Sequence, residues 1–162
     1  MGKRANKITA SVLAVLTYLI VSGMGVAQSC DNDTATITGG FGSANFTVEV
    51  AITPEEQAQG LMYRTSMDKM SGMIFEFPRE KRTSFWMKNT LLRLDMIFAD
   101  QTGEIVNIHE NATPLDETPV FGGERIKFVL ELNAGLVSLL GISTGDHLSN
   151  PNNSEDLTWV CQ

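Results

Sequence analysis

Alternation of apolar and polar positions marks much of the chain as short strands. "NFTVEVAIT" sets Phe46, Val48, Val50 and Ile52 against polar or small neighbours, the period of two expected of a half-buried strand. "GMIFEF" places Met73, Phe75 and Phe77 on one face, and the charged "PREKR" after it reads as a turn held in water. "SFWMK" and "LDMIFAD" predict the next two strands, paired as a hairpin through Asn89 to Arg93, with Leu94, Met96 and Phe98 on one face and Asp95, Ile97 and Ala99 on the other. "DQTGE" is a turn with Gly103 where a positive φ is expected, leading into "EIVNIHE". "NATPLDETPVFGGE" carries two prolines and a glycine pair and reads as a loop of about a dozen residues. "RIKFVLELN" then returns as a strand.

Two helical turns interrupt this pattern. Thr53, Pro54 and Glu56 supply a cap, a first-turn proline and the carboxylate of a capping box, and Gly60 ends the helix. "NAGLVSLLG" is a second short helix, capped by Asn133 and stopped by Gly141. Six or seven strands about ten residues apart predict a mainly β fold, an antiparallel β-sandwich or partly closed barrel with two short helices. Strand order stays open.

The N-terminus has a different grammar. Lys3, Arg4 and Lys7 precede the uncharged run "ITASVLAVLTYLIV", and Gly25 and Ala27 follow where a signal peptidase reads small residues. The apolar run is short of the about 20 residues that a membrane span needs. Residues 1–27 are therefore expected to be a cleaved signal peptide, 28–45 a flexible segment and 46–162 a single β domain in the periplasm or outside the cell. Cys30 suggests a lipoprotein signal, but Gln28 stands where such signals want a small residue.

Losing Lys3, Arg4 and Lys7 leaves 9 basic against 19 acidic residues, a net charge of −10. Such a balance argues against nucleic acid and anionic membranes as partners. Cys30 and Cys161 are the only cysteines and stand near the two ends of the mature chain, so in an oxidising compartment they are expected to form one disulfide. On the chain-entropy model so long a loop is worth up to about 5 kcal/mol.

"GLMYR", "GMIFEF", "FWMKNT", "LDMIF" and "VLELNAG", in this order, resemble the DUF192 family over about Phe46 to Leu148. The resemblance implies a small, mostly prokaryotic and often exported domain that is mainly β. It implies no established activity, cofactor or substrate.

Candidate chemistry lies where polar groups interrupt apolar motifs. Asp95 between Leu94 and Met96 needs compensation, since an unpaired carboxylate beside a core is costly. Arg64, at the end of "GLMYR", is the expected partner through a charge-assisted bond. Such a pair either only fixes packing or, with Trp86 as an apolar wall and Lys88 beside it, recognises a small anionic or hydroxylated ligand. Asn89 and Thr90 read as turn formers or as part of that pocket. Glu131, between Leu130 and Leu132, raises the same question from another strand.

Six methionines fall between Met62 and Met96 and admit a thioether copper(I) site. Met62, Met73, Met87 and Met96 sit inside apolar motifs, however, where Met fills gaps in a core; Met67 and Met70 alone are expected to be exposed. No nucleophile elbow, phosphate loop or metal-spaced His/Cys set occurs, and His109 and His147 are the only histidines. A binding or accessory module for a small ligand or a protein partner, with no cofactor or metal, is the expected function. A small hydrolase or lyase using Asp95 and Glu131 is the competing one.

Overall fold

The computed structural model describes residues 34–153 and 157–159. The expected leader and the Cys30–Cys161 bridge lie outside them. Among the described residues seven strands form one sheet: β1 (Thr34–Gly39), β2 (Gly42–Ala51), β3 (Ser71–Phe85), β4 (Leu94–Ala99), β5 (Ile105–Ala112), β6 (Val120–Asn133) and β7 (His147–Ser149). Their order is β5-β4-β6-β3-β2-β1-β7. The sheet curls until its edges meet. At one end the Ile105 N–H donates to the Asp146 carbonyl at 2.9 Å, and the Leu148 N–H to the Gly103 carbonyl at 2.8 Å. The result is the mainly β, partly closed architecture that the strand spacing predicts.

Helix α1 (Pro54–Gln59) follows its sequence signals closely. The Thr53 hydroxyl accepts the Glu56 N–H at 3.2 Å and the Glu56 carboxylate accepts the Thr53 N–H at 2.9 Å, completing the capping box. Gly60 closes it at φ 48°, a conformation suited to glycine. The connection that carries α1 joins β2 to β3 as a parallel pair, which requires such a crossover. The sheet is therefore mixed, not wholly antiparallel as expected.

Other expectations need correction. β1 was expected as a flexible segment, because Ile37 is its only large apolar residue, yet Ala35 and Ile37 are fully buried between β2 and β7. "PREKR" is no turn: β3 runs through it, with a register shift between Glu76 and Lys81 that absorbs Pro78. Its charges survive in a strand because Lys81 and Arg82 lie over the rings of Phe77 and Phe121. The hairpin of "SFWMK" with "LDMIFAD" does not form, since both edges of β4 are taken by β5 and β6. β7 is an additional short strand.

Both faces of the sheet are covered. Ile37, Phe46, Ile74, Ile97 and Leu130 pack with Trp159 on one, and Phe75, Phe77, Met87, Met96 and Val129 with Leu61 on the other. β4 is consequently buried at all six positions. Met73, Met87 and Met96 lie in the same cluster as Phe75 and Phe98, the arrangement expected of core thioethers. Met67, expected to be exposed, is half-buried against that cluster.

Candidate functional site

The expected Arg64–Asp95 pair is absent. Arg64 forms a two-pronged contact with Glu49, with Nη2 at 2.6 Å from Oε2, on the surface beside β2. That guanidinium lowers the pKa of Glu49. Asp95 is fully buried and its partners are backbone N–H groups: Asn111 at 2.8 Å and Val137 at 3.0 Å. The Val137 bond makes Asp95 the cap of α2 (Leu136–Leu140), a task expected of Asn133. Asn133 instead ends β6 and donates to the Asp68 carbonyl at 2.8 Å, while Gly135 occupies the cap position without a side chain to offer. With its oxygens so engaged, Asp95 is a structural group.

Residues 86–93 form a loop tied on both sides. The Tyr63 N–H donates to the Asn89 carbonyl at 2.9 Å, the Leu115 N–H to the Thr90 carbonyl at 3.1 Å, and the Met87 N–H to the Asp116 carbonyl at 2.8 Å. Tyr63, Asn89 and Leu115 all have positive φ, 64°, 53° and 63°. For Tyr and Leu this is a sparsely populated conformation, and it persists only where the surroundings impose it. Asn89 also donates from Nδ2 to the Met62 sulfur at 3.8 Å. Trp86 is 46% exposed, with the Lys88 ammonium 5.0 Å from its ring centre.

Glu131 stands apart from these groups. In the sheet it lies between Met73 of β3 and Met96 of β4, so its side chain shares their face. It is 5% exposed and has no hydrogen-bond or ion-pair partner among the described residues. No polar side-chain atom sealed from solvent lacks a partner among them, so its carboxyl meets a cavity rather than closed protein. That cavity, about 110 Å³, is lined by Glu131, Phe75, Phe85 and the end of α1, together with Trp86, Ser84 and Thr90. Burial pushes the Glu131 pKa from 4.5 to about 8, so the group is neutral at pH 7. A wider groove of about 520 Å³ beside β5 is lined by exposed His109, Glu110 and Asp116 and has no such buried group.

Of the residues singled out in the sequence, Trp86, Thr90 and Glu131 meet at this cavity. Lys88 adjoins it through Trp86, and Asn89 acts through Met62, which also lines it. Arg64 and Asp95 are engaged elsewhere. Asp95 pairs in register with Leu132 and Glu131 with Met96, so the two carboxyls open on opposite faces and form no acid/base pair in one cleft. Gln57, Phe75, Ser84 and Phe85 were not singled out. Phe75 and Phe85 belong to quoted motifs, but periodicity alone assigns both to core. Among the described residues no cluster of three or more His, Cys, Asp or Glu is placed to hold a metal ion, and no helix is long and apolar enough to cross a membrane.

The sequence profile of DUF192, described as an uncharacterized ACR, matches residues 35–150. A protein of unknown function from Novosphingobium aromaticivorans is 42% identical, with a TM-score of 0.70 over 72% of this chain and 83% of its own. A putative transcription regulator from Sinorhizobium meliloti is also 42% identical, with a TM-score of 0.71 over 74% of this chain and 94% of its own. No curated protein matches.

Proposed function

The chain belongs to the DUF192 family, and from that premise we propose that it is an exported binding or accessory module whose binding centre is the cavity over Glu131. The observation that carries the reading is Glu131 itself. Its carboxyl is nearly buried, opens on a cavity and has no partner among the described residues, and a bound ligand would supply one. Of the ligand classes the sequence suggests, a hydroxylated group is compatible with a neutral carboxyl, which both donates and accepts. An anion is opposed, because no cationic side chain lines the cavity. Exposed Trp86, which lines the cavity, offers apolar surface to a larger molecule or a protein partner.

Catalysis is the weaker reading, since Glu131 is the one titratable side chain among the lining residues. The acidic balance of the chain, −7 overall, does not favour the transcription-regulator description given to the Sinorhizobium protein.

Export to the periplasm or beyond rests on the N-terminal leader pattern. The Cys30–Cys161 disulfide rests on the cysteine count and the same leader pattern; the described residue nearest the C-terminal cysteine, Trp159, donates its indole N–H to the Thr34 carbonyl at 3.0 Å. A thermal-shift screen of small polar compounds tests the binding reading. A ligand at 100 times its dissociation constant adds about 2.7 kcal/mol, and the shift should vanish in Glu131→Gln and persist in Arg64→Ala. Compounds that stabilise both variants equally would place binding elsewhere.

A further inference from the structure

Resting on the reading of the Glu131 cavity as a binding site, we infer that its occupant is a primary ammonium group, the cationic end of a small amine or of a side chain, held by Glu131 and the carboxyl-terminal end of α1 against Phe85 and Trp86.

The walls supply acceptors and π faces, and no cation. The last carbonyls of a helix lack intrahelical partners and carry partial negative charge. In α1 those of Glu56 and Gln59 are taken by the N–H groups of Gly60 and Met62, while those of Gln57 and Ala58 accept no bond from the turn that follows. The last turn of α1 has no basic residue to offset them. Phe75 and Phe85 meet edge to face at 4.9 Å, and with Trp86 they give the cavity an aromatic side. Aromatic faces attract ammonium groups, and Trp86 already holds Lys88 on its ring. A primary ammonium has three donors to distribute among these acceptors. At about 110 Å³ the cavity is several times the space that one water needs, enough for an amine head and the first carbons behind it.

Glu49 of β2 shares the face of Glu131, one strand beyond Met73, and is neutralised by Arg64. Glu76 of β3 and Asp95 of β4 open on the other face, and Glu56 is held by the N–H groups of Ile52 and Thr53. His109, opposite Met96 on β5, is exposed, and Lys88 is seated on Trp86. An arriving ammonium favours the carboxylate, so the Glu131 proton leaves to solvent as the ion pair forms. Binding should therefore release one proton below pH 8, whereas a hydroxyl group binds the neutral acid with no proton exchanged.

The test uses three probes of equal length that differ in charge: n-propylammonium, 1-propanol and propionate. Each is titrated into the protein at constant ionic strength, and the amide resonances of Gly60, Ser84 and Thr90 are followed. Propylammonium should bind best, its affinity rising about tenfold from pH 6 to pH 7 and levelling off above pH 8. Glu131→Gln should abolish that pH dependence and reduce its affinity above pH 8 at least tenfold. Propanol binding as well as propylammonium above pH 8, or a flat pH profile for the amine, would overturn the ammonium assignment and leave the cavity as the binding site. If none of the three probes moves those resonances, both the assignment and the binding site fall.

Discussion

Asp95 and Val137 lie 42 residues apart and are joined by one hydrogen bond of 3.0 Å, from the Val137 N–H to the Asp95 carboxylate. The second oxygen of Asp95 accepts the Asn111 N–H at 2.8 Å, so one buried side chain fixes α2 and β5 to β4. Charge-assisted bonds of this kind contribute about 1.5–3 kcal/mol each. Asp95→Ala should accordingly lower stability by about 3 kcal/mol in urea denaturation. A loss below about 1 kcal/mol would mean that these bonds do not hold the elements together.

Arg64 and Glu49 should behave in the opposite way. Their side chains are 35% and 58% exposed, and exposed pairs are worth about 0–1 kcal/mol after screening. Arg64→Ala should shift the urea midpoint slightly and leave ligand binding at the Glu131 cavity unchanged. A binding defect in that variant would return Arg64 to the site.

Glu131 should impose a pH dependence on folding. Its carboxyl titrates near 4.5 when unfolded and near 8 when folded. Between these values the unfolded chain has lost a proton that the folded protein keeps, so stability falls as pH rises, by about 1.4 kcal/mol per pH unit, and levels off above 8. Below 4.5 the contribution is fully present. Glu131→Gln should remove this slope and be more stable relative to the parent at pH 8 than at pH 5. An equal difference at the two pH values would contradict a neutral buried carboxyl.

Trp159 closes the chain onto the core. It is 1% exposed, packs against Phe128 at 5.3 Å, and its backbone N–H donates to Glu76 at 2.9 Å. Trp159→Ala should cost about 3–5 kcal/mol. The proposed Cys30–Cys161 bridge predicts that both thiols resist alkylation in denatured protein until a reductant is added. Labelling without reductant would show the bridge to be missing.

Period and capping chemistry expose the local parts of this fold. The α1 box at Thr53 and Glu56, the faces of β4 and the turn at Gly103 are all set by neighbours in sequence, and the expectations for them hold. The errors concern long-range partners. Asp95 was assigned a cation because it interrupts an apolar run, but a backbone N–H 42 residues away compensates it as well, and no local pattern identifies a donor at that distance. Trp86 and Lys88 alternate as a strand would, yet β4 already has two neighbours. Glu131 interrupts its apolar run just as Asp95 does. What separates them is that one carboxyl found partners and the other meets a cavity, a difference created only when β3, β6 and α1 come together.

Glu131 is a neutral carboxyl that faces the cavity and has no partner among the described residues. Titration of its side-chain carboxyl carbon by NMR tests this most directly, in the protein without added ligand. The midpoint should lie near 8. A midpoint near the ordinary glutamate value of about 4.3 would mean that water or an unrecognised partner already stabilises the charge, and would contradict the account.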